Sequence, residues 1–378
     1  HKVMEHWKKV LPSDFICHMK YEDMINDTEK EARRLTSFIG LDWDPNCLKF
    51  YDNKRNVKTA SMMQVRKPIY KTSMARWKNF TRHLKPLYNK VKPYRSVLYM
   101  PGANVRALDK ARTLPTDAII FDLEDAVSVN EKITARNNVN KALLQGGYGK
   151  RVLIVRINGL DTEWFENDLK MTVQSNCDAV LLPKVNSKND ILSVEKFLDA
   201  SKFPNKIQIW AMIETPDGVL NASEISQASE RMGGLVMGTN DLQKELNIRS
   251  IPSRTPLLTS LSFCVLAAKK AKITCVDGVY NAFKDDVGLK NEAEHGRDLG
   301  FDGKTLIHPA QIAISNKTYT PSFDDKELYT RQIEAFDEAV KNGKGVAVLD
   351  GNIVENLHVE IAKRNLALMC AIEDLEEK

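Results

Sequence analysis

The stretch 207-IQIWAMIETPDGVLNASEISQASERMGGLVMGTNDL-242 decides the fold. It holds an apolar run (IQIWAMIE), a Pro-Asp-Gly break, a segment with helical character, and a second apolar run (GGLVMGTNDL). Each run ends on a carboxylate, Glu214 in the first and Asp241 in the second. If both runs are parallel strands of one sheet, a crossover must join them, and the segment between them supplies it. Neighbouring strands lie about 4.8 Å apart, so the two acids would emerge side by side at one edge. Such a pair suits Mg²⁺, which typically takes one or two protein carboxylates and fills its octahedron with water and substrate oxygens. Two unrelated strand-end acids would read the same way in isolation.

Working outward, the pattern repeats. Short apolar runs followed by helical spacing occur at 95–102, 118–125, 151–158, 179–185, 207–215, 234–242, 274–280 and 303–309. Most are continuous rather than alternating, as expected of strands covered on both faces. Helical segments are expected between them, among them 130–144, 257–272 and 285–299. Eight βα units in about 220 residues predict a (β/α)₈ TIM barrel rather than an open doubly wound sheet. No GxGxxG follows any run, which argues against a dinucleotide fold. In a barrel the chemistry belongs at the C-terminal strand ends. Asp122, Glu124, Asp125, Arg156, Asn158, Lys184, Glu214, Asp241, Asp277 and His308 all fall there, whereas the strand starts look poor in such groups.

The chain has 378 residues, 43% of them apolar and 28% charged, so it can bury a sizeable core. No run approaches the ~20 apolar residues of a membrane span, and no signal peptide is evident. The first residue is not Met, so the start reads as truncated. The cysteines (17, 47, 177, 264, 275 and 370) form no metal-ligand spacing and read as reduced thiols of a cytoplasmic protein. Charge is uneven: 1–94 hold 20 Lys/Arg against 10 Asp/Glu, and 53–94 hold 12 basic residues and no acid. The expected domains are therefore 1–92, mainly helical; 93–320, the barrel; and 321–378, an extension. The extension is read as a helix over 324–341, a hairpin turning at Asp350-Gly351, and a helix over 356–376. With no core of its own expected, it should cover an active-site mouth, its own or that of a neighbouring copy.

In the first region Thr28 and Glu31 suggest a capping box, and Gly40 a helix stop. YEDMINDTEKEARRLTSFIGLDWDP, with VKTASMMQVRKPIYKTSMARWKNF further on, resembles the C-terminal end of a sulfotransferase domain over residues 15–90. The resemblance implies phosphate contacts for Arg66, Lys67 and Arg76. That family's phosphate-binding strand–loop–helix is missing, so a solvated basic face is the simpler reading. Basic residues with interleaved aromatics also fit a phosphate- or nucleic-acid-binding protein, but no groove-reading motif supports this.

In the barrel region, Mg²⁺ on Glu214 and Asp241 would chelate a 2-oxo or 2-hydroxy carboxylate, and Arg156 could donate paired hydrogen bonds to a developing enolate. RSVLYMPGANVRALDKA, FDLEDAV, VRIN, LLPKV, the IET-to-GTNDL spacing and GFDGKTLIHPAQI resemble the citrate lyase β-subunit/malyl-CoA lyase family, within the HpcH/HpaI aldolase superfamily, from 94 to the C-terminal region. The resemblance implies Mg²⁺ on Glu214 and Asp241, with Arg156 facing the thioester carbonyl. Glu124, Asp125 and Lys184 would support the site from behind, and Arg95, Arg106 and Lys110 would contact the CoA phosphates. A proton-transferring Asp follows the hairpin in relatives carrying the extension and reaches in from a neighbouring subunit; here the matching residue is Glu355. The expected activity is cleavage of a malyl-, methylmalyl- or citramalyl-CoA type thioester to an acyl-CoA and a 2-oxo acid, by a homo-oligomer (trimer or hexamer). Hydrolysis by a malyl-CoA thioesterase is the alternative.

Overall fold

The computed structural model describes residues 15–17, 19, 23–24, 27–52, 91–201, 207–249 and 251–376. The chain divides into two compact units, residues 1–85 and 86–378. In the first unit, helix α1 (Thr28–Phe38) is followed by a 3-10 segment, Pro45–Asp52. The expected Thr28/Glu31 capping box does not form. Asp27 is the cap, its carboxylate accepting the Lys30 N–H at 3.1 Å, while Glu31 pairs with Arg34 at 2.7 Å. Gly40 takes a left-handed φ of +74° just past the helix end, as its sequence position predicts. Arg66, Lys67 and Arg76 lie outside the described residues.

The second unit contains a closed barrel of eight parallel strands in sequence order. Its elements run β1 (Ser96–Pro101), α2 (Val105–Ala111), β2 (Ala118–Asp122), α3 (Lys132–Gln145), β3 (Val152–Arg156), α4 (Phe165–Gln174), β4 (Ala179–Leu182) and α5 (Lys188–Ala200). They continue with β5 (Gln208–Ile213), α6 (Pro216–Leu220), α7 (Ala222–Ile225), β6 (Met232–Met237), α8 (Thr239–Glu245), α9 (Leu258–Ala271), β7 (Thr274–Asp277), α10 (Asp286–Leu299), β8 (Gly303–Leu306) and α11 (Ile312–Tyr319). All eight expected runs are strands. The crossover in the opening stretch is two short helices, α6 and α7, with Pro216 at the first position of α6, where its missing N–H costs nothing.

Each strand buries both faces, and the period of two sorts its residues. Val97, Ala118, Ile120, Val152, Ile154, Ala179, Leu181, Trp210, Met212, Val236 and Val276 fill the barrel interior with Tyr94 and Tyr99. Their neighbours, such as Leu98, Ile119, Phe121, Val155, Val180, Ile209, Leu235 and Cys275, pack against the helices. The same parity turns Asp122, Arg156 and Glu214 inward. Asp277 follows inward-facing Val276 and therefore turns outward.

That outward position corrects the expected ring of polar groups. Asp277 lies between the wall and the helices, held by both Arg254 Nη1 contacts (2.8 and 2.9 Å) and by Lys304 Nζ at 3.2 Å. Its carboxyl is held below the usual range: burial opposes ionisation, but Lys304 and Arg254 outweigh it. Asn158 is likewise spent on structure, its amide donating to Asp168 at 2.6 Å. The strand starts are not poor in polar chemistry either. Asp178 accepts the Leu153 N–H at 2.8 Å and Asp302 the Cys275 N–H at 2.9 Å, tying neighbouring strands together at the barrel's base.

The extension is a helix α12 (Phe323–Lys341), a hairpin of β9 (Ala347–Leu349) and β10 (Asn352–Val354), and helix α13 (Asn356–Glu376). Asp350 and Gly351 both have positive φ (+49° and +80°), the signature of a type I′ turn. Contrary to expectation the extension has its own core, built from Ile333, Ala339, Ala347, Val354, Val359, Ala362, Leu366 and Met369. Its last helix meets the barrel at the strand starts. Glu376 pairs with Arg95 (3.0 Å), Asp374 with Lys150 (2.6 Å) and Arg364 with Asp302 (3.2 Å).

Candidate active site

The strand register builds the site. Asp122 and Arg156 are directly paired at the ends of β2 and β3. Their inward parity makes them an ion pair, with Arg156 Nε 2.7 Å from Asp122 Oδ1 and Nη2 2.5 Å from Oδ2. Asp122 is fixed in turn by the N–H groups of Glu124 (2.9 Å) and Ala126 (3.2 Å), which close the turn after β2. Arg156 Nη1 reaches Glu124 at 3.0 Å and Asp125 at 3.2 Å, and the guanidinium lies over the Tyr99 ring, 4.9 Å from its centre. Burial works against the Arg156 charge, but Asp122, then Tyr99 and Glu124, hold its pKa well above the ordinary value. Lys132 braces this acidic turn from below, donating to the carbonyls of Leu123 (2.9 Å) and Glu124 (2.7 Å).

Glu214 stands one residue beyond β5 and is 1% exposed. One carboxylate oxygen accepts the Lys184 N–H at 2.8 Å. Lys184 adopts a left-handed φ of +51°, an unfavourable backbone for a side chain, which aims that N–H at Glu214. Its ammonium meanwhile reaches Glu124 at 3.2 Å. The other oxygen of Glu214 is buried without a hydrogen-bond partner. Burial pushes the carboxyl up to about 8; the Lys184 N–H pulls it down, while Glu124 and Asp241 push it further up. A buried, unpartnered carboxylate oxygen is costly unless something binds it.

Asp241 lies in the first turn of α8 rather than at a strand end, as the sequence spacing had suggested. It lines a cavity of about 290 Å³ with Tyr99, Asp122, Asp125, Arg156 and Gly238, whose apolar side is formed by Met212, Met237, Val279 and Ile307. Among the described residues, no group of three or more His, Cys, Asp or Glu is arranged to hold a metal. Glu214 does not itself line this cavity, but its carboxylate is near enough to Asp241 for the two charges to repel. Two such carboxylates, one with a free buried oxygen, fit a hard cation that keeps most of its sphere for water and substrate. Gly238 makes room for the Glu214 side chain, which a Cβ there would overlap. With Glu214 as a Mg²⁺ ligand, Gly238→Ala would weaken Mg²⁺ binding about tenfold by displacing that carboxylate, as disturbing a ligand's support does elsewhere. Calorimetric titration with Mg²⁺ checks it; unchanged affinity would refute the steric account.

The remaining expected residues divide. Arg106 and Lys110 are exposed on α2, which follows β1 at the cavity end of the barrel. Arg95 is not a CoA contact: it is buried at the opposite end, bound to Asp117 at 2.8 Å and Thr320 at 3.0 Å. His308 caps the 3-10 turn after β8 and stacks on Phe283, 4.6 Å between ring centres. Glu355 is exposed, absent from the cavity lining, and immediately precedes a helix that packs on the barrel's opposite face. Tyr99, Met212 and Gly238 were missed by the sequence reading. For Tyr99 and Met212 the signal was available, since both share the inward parity of their strands.

A family model described as HpcH/HpaI aldolase/citrate lyase matches residues 95–309, and a sulfotransferase family model matches residues 1–45. The chain is 54% identical over 280 residues to a (3S)-malyl-CoA thioesterase of Cereibacter sphaeroides (strain ATCC 17025), covering 74% of this chain and 96% of that protein. It is 37% identical over 279 residues to citrate lyase subunit beta of Escherichia coli (strain K12), covering 72% and 92%. Among solved structures, the CitE protein of Mycobacterium tuberculosis, in complex with magnesium, acetoacetate and coenzyme A, is 26% identical with a TM-score of 0.61. That likeness covers 74% of this chain and 98% of the other.

Proposed function

Because the chain belongs to the HpcH/HpaI aldolase/citrate lyase family, we propose that it is a Mg²⁺-dependent hydrolase of a malyl-CoA type thioester. The observation that carries hydrolysis over cleavage is the 54% identity to a (3S)-malyl-CoA thioesterase across 96% of that protein's length. In this reading Glu214 and Asp241 hold Mg²⁺. When bound there, the ion supplies Lewis-acid polarisation of substrate oxygens. Arg156, locked by Asp122, donates to the thioester carbonyl oxygen as negative charge develops on it. Water adds its oxygen to the acyl carbon, the C–S bond breaks, and the departing thiolate takes a proton.

Glu355 is proposed as the group that handles the proton of the attacking water. Since α13 packs against the strand starts, this carboxylate would come from a second copy, which makes a homo-oligomer (trimer or hexamer) part of the reading. Its extra methylene relative to Asp shifts the carboxylate by about one bond length. Arg106 and Lys110 remain proposed CoA-phosphate contacts. All six cysteines are free thiols and no described helix is long and apolar enough to cross a membrane, which supports a cytoplasmic setting.

A second reading, carbon–carbon cleavage, is supported by the 37% identity to a citrate lyase subunit. Arg156 would then face the enolate of the departing acyl group. Incubation with (3S)-malyl-CoA and Mg²⁺ separates the two. Free malate and coenzyme A are expected; glyoxylate with acetyl-CoA would overturn hydrolysis in favour of cleavage.

A further inference from the structure

Asp241 stands in a short helix whose first turn receives no side-chain cap from Gly238. The turn is held instead by the loop of the next βα unit, residues 278–285. Gly278 sits directly against Thr239, where a Cβ would collide with the threonine side chain. Three residues on, Asn281 and Asn240 exchange side-chain hydrogen bonds. Asn281 Nδ2 donates to Asn240 Oδ1 at 2.8 Å and Asn240 Nδ2 to Asn281 Oδ1 at 3.3 Å. Asn240 is the residue immediately before Asp241.

The loop that offers Asn281 is itself pinned on the near side of that residue. Lys304, fully buried, donates to the Gly278 carbonyl at 2.6 Å while its charge is satisfied by Glu292 (2.7 Å) and Asp277 (3.2 Å). Gln311 Nε2 donates to the Tyr280 carbonyl at 2.8 Å. Two anchored carbonyls therefore precede an amide that grips the neighbour of Asp241. Asn281 is exposed; its carbonyl accepts the Phe283 N–H at 2.9 Å, and the amide pair with Asn240 fixes its side chain.

We propose that Asn281 is a positioning residue for Asp241, latching the first turn of α8 so that the carboxylate is already in place when Mg²⁺ arrives. This rests on the reading of Asp241 as a metal ligand. The latch contributes no ligand; it removes the cost of ordering one, and groups in that role typically change metal affinity 10–100-fold.

The test is titration of the full chain with Mg²⁺ alone, by calorimetry, alongside thermal melting. Asn281→Ala is expected to weaken Mg²⁺ binding about tenfold with an unchanged melting temperature, as for a surface substitution. Asn281→Asp keeps an acceptor for Asn240 Nδ2 but sets an oxygen against Asn240 Oδ1 where the 2.8 Å donor stood, so it is expected to lose affinity as Asn281→Ala does. In an Asn240→Ala background, Asn281→Ala should cost nothing further, because the effect runs through that pair. Unchanged affinity in Asn281→Ala, an equal loss without Asn240, or a parallel drop in melting temperature would each overturn the latch. Asp241→Asn separates the two levels. If it leaves Mg²⁺ affinity intact, the metal-site reading fails and the latch with it; if it abolishes binding while Asn281→Ala does not weaken it, only the latch fails.

Discussion

Glu214→Gln is expected to abolish Mg²⁺ binding and turnover while making the metal-free protein more stable at pH 8. The two effects have one cause. Glu214 is almost fully buried, and one of its oxygens has no partner. Burial raises its pKa from the ordinary 4.5 to about 8 in the folded chain. A folded-state pKa above the unfolded one contributes stability that is fully present below pH 4.5 and lost as pH rises through 8. By pH 8 the loss amounts to roughly 4 kcal/mol, at 1.36 kcal/mol per pH unit. Glutamine is neutral, fits the same space and can still accept the Lys184 N–H. Urea unfolding in chelator at pH 5 and pH 8 checks this. The two proteins should differ by less than about 1 kcal/mol at pH 5 and diverge at pH 8, with the variant more stable. Equal stability at pH 8 would show that the carboxylate is not strained by its surroundings.

Arg156→Lys is expected to lower kcat by about 10²–10³-fold, the cost of losing an aimed donor to developing charge. Lysine keeps the charge but cannot reproduce the fork. One ammonium cannot occupy both Asp122 oxygens and also reach Glu124 and Asp125, which Arg156 does at 2.5–3.2 Å. Arg156→Met goes further, leaving Asp122 buried without its counter-charge. Breaking a buried pair on one side costs about 3–5 kcal/mol, so this variant should also lose stability. Comparing the two variants by kcat, KM and urea unfolding separates chemistry from folding. Wild-type kcat in Arg156→Lys would remove Arg156 from the reaction.

Much of the barrel was legible because parallel strands buried on both faces leave unbroken apolar runs, and those between Ser96 and Leu306 are punctuated by turns. The buried polar cluster at the cavity was legible in part. Asp122, Arg156 and Glu214 were read from their positions at strand ends, and the inward parity of β2, β3 and β5 brings them together. The same parity would have excluded Asp277, since Val276 beside it occupies the inward position. Arg95 could not be placed by residue type alone: a basic residue flanking β1 reads as a phosphate contact until Asp117 is seen to claim it from the next strand's start. Asp241 was read at a strand end but stands in a helix, because a strand end and the first turn of a following helix leave the same trace. Asn281 carries no local signal, and only the fold brings it to Asn240.

Closing the sheet also decides where this chain can add a strand. Pairing β1 with β8 leaves no unpaired edge in the barrel, so its backbone offers nothing to another chain's strand. Among the described residues, the open edges belong to the β9–β10 hairpin, which also exposes Val346, Val348 and Ile353. Among the described residues, sheet extension by a second polypeptide, whether orderly or as aggregation, is thereby confined to a short ribbon that does not line the cavity.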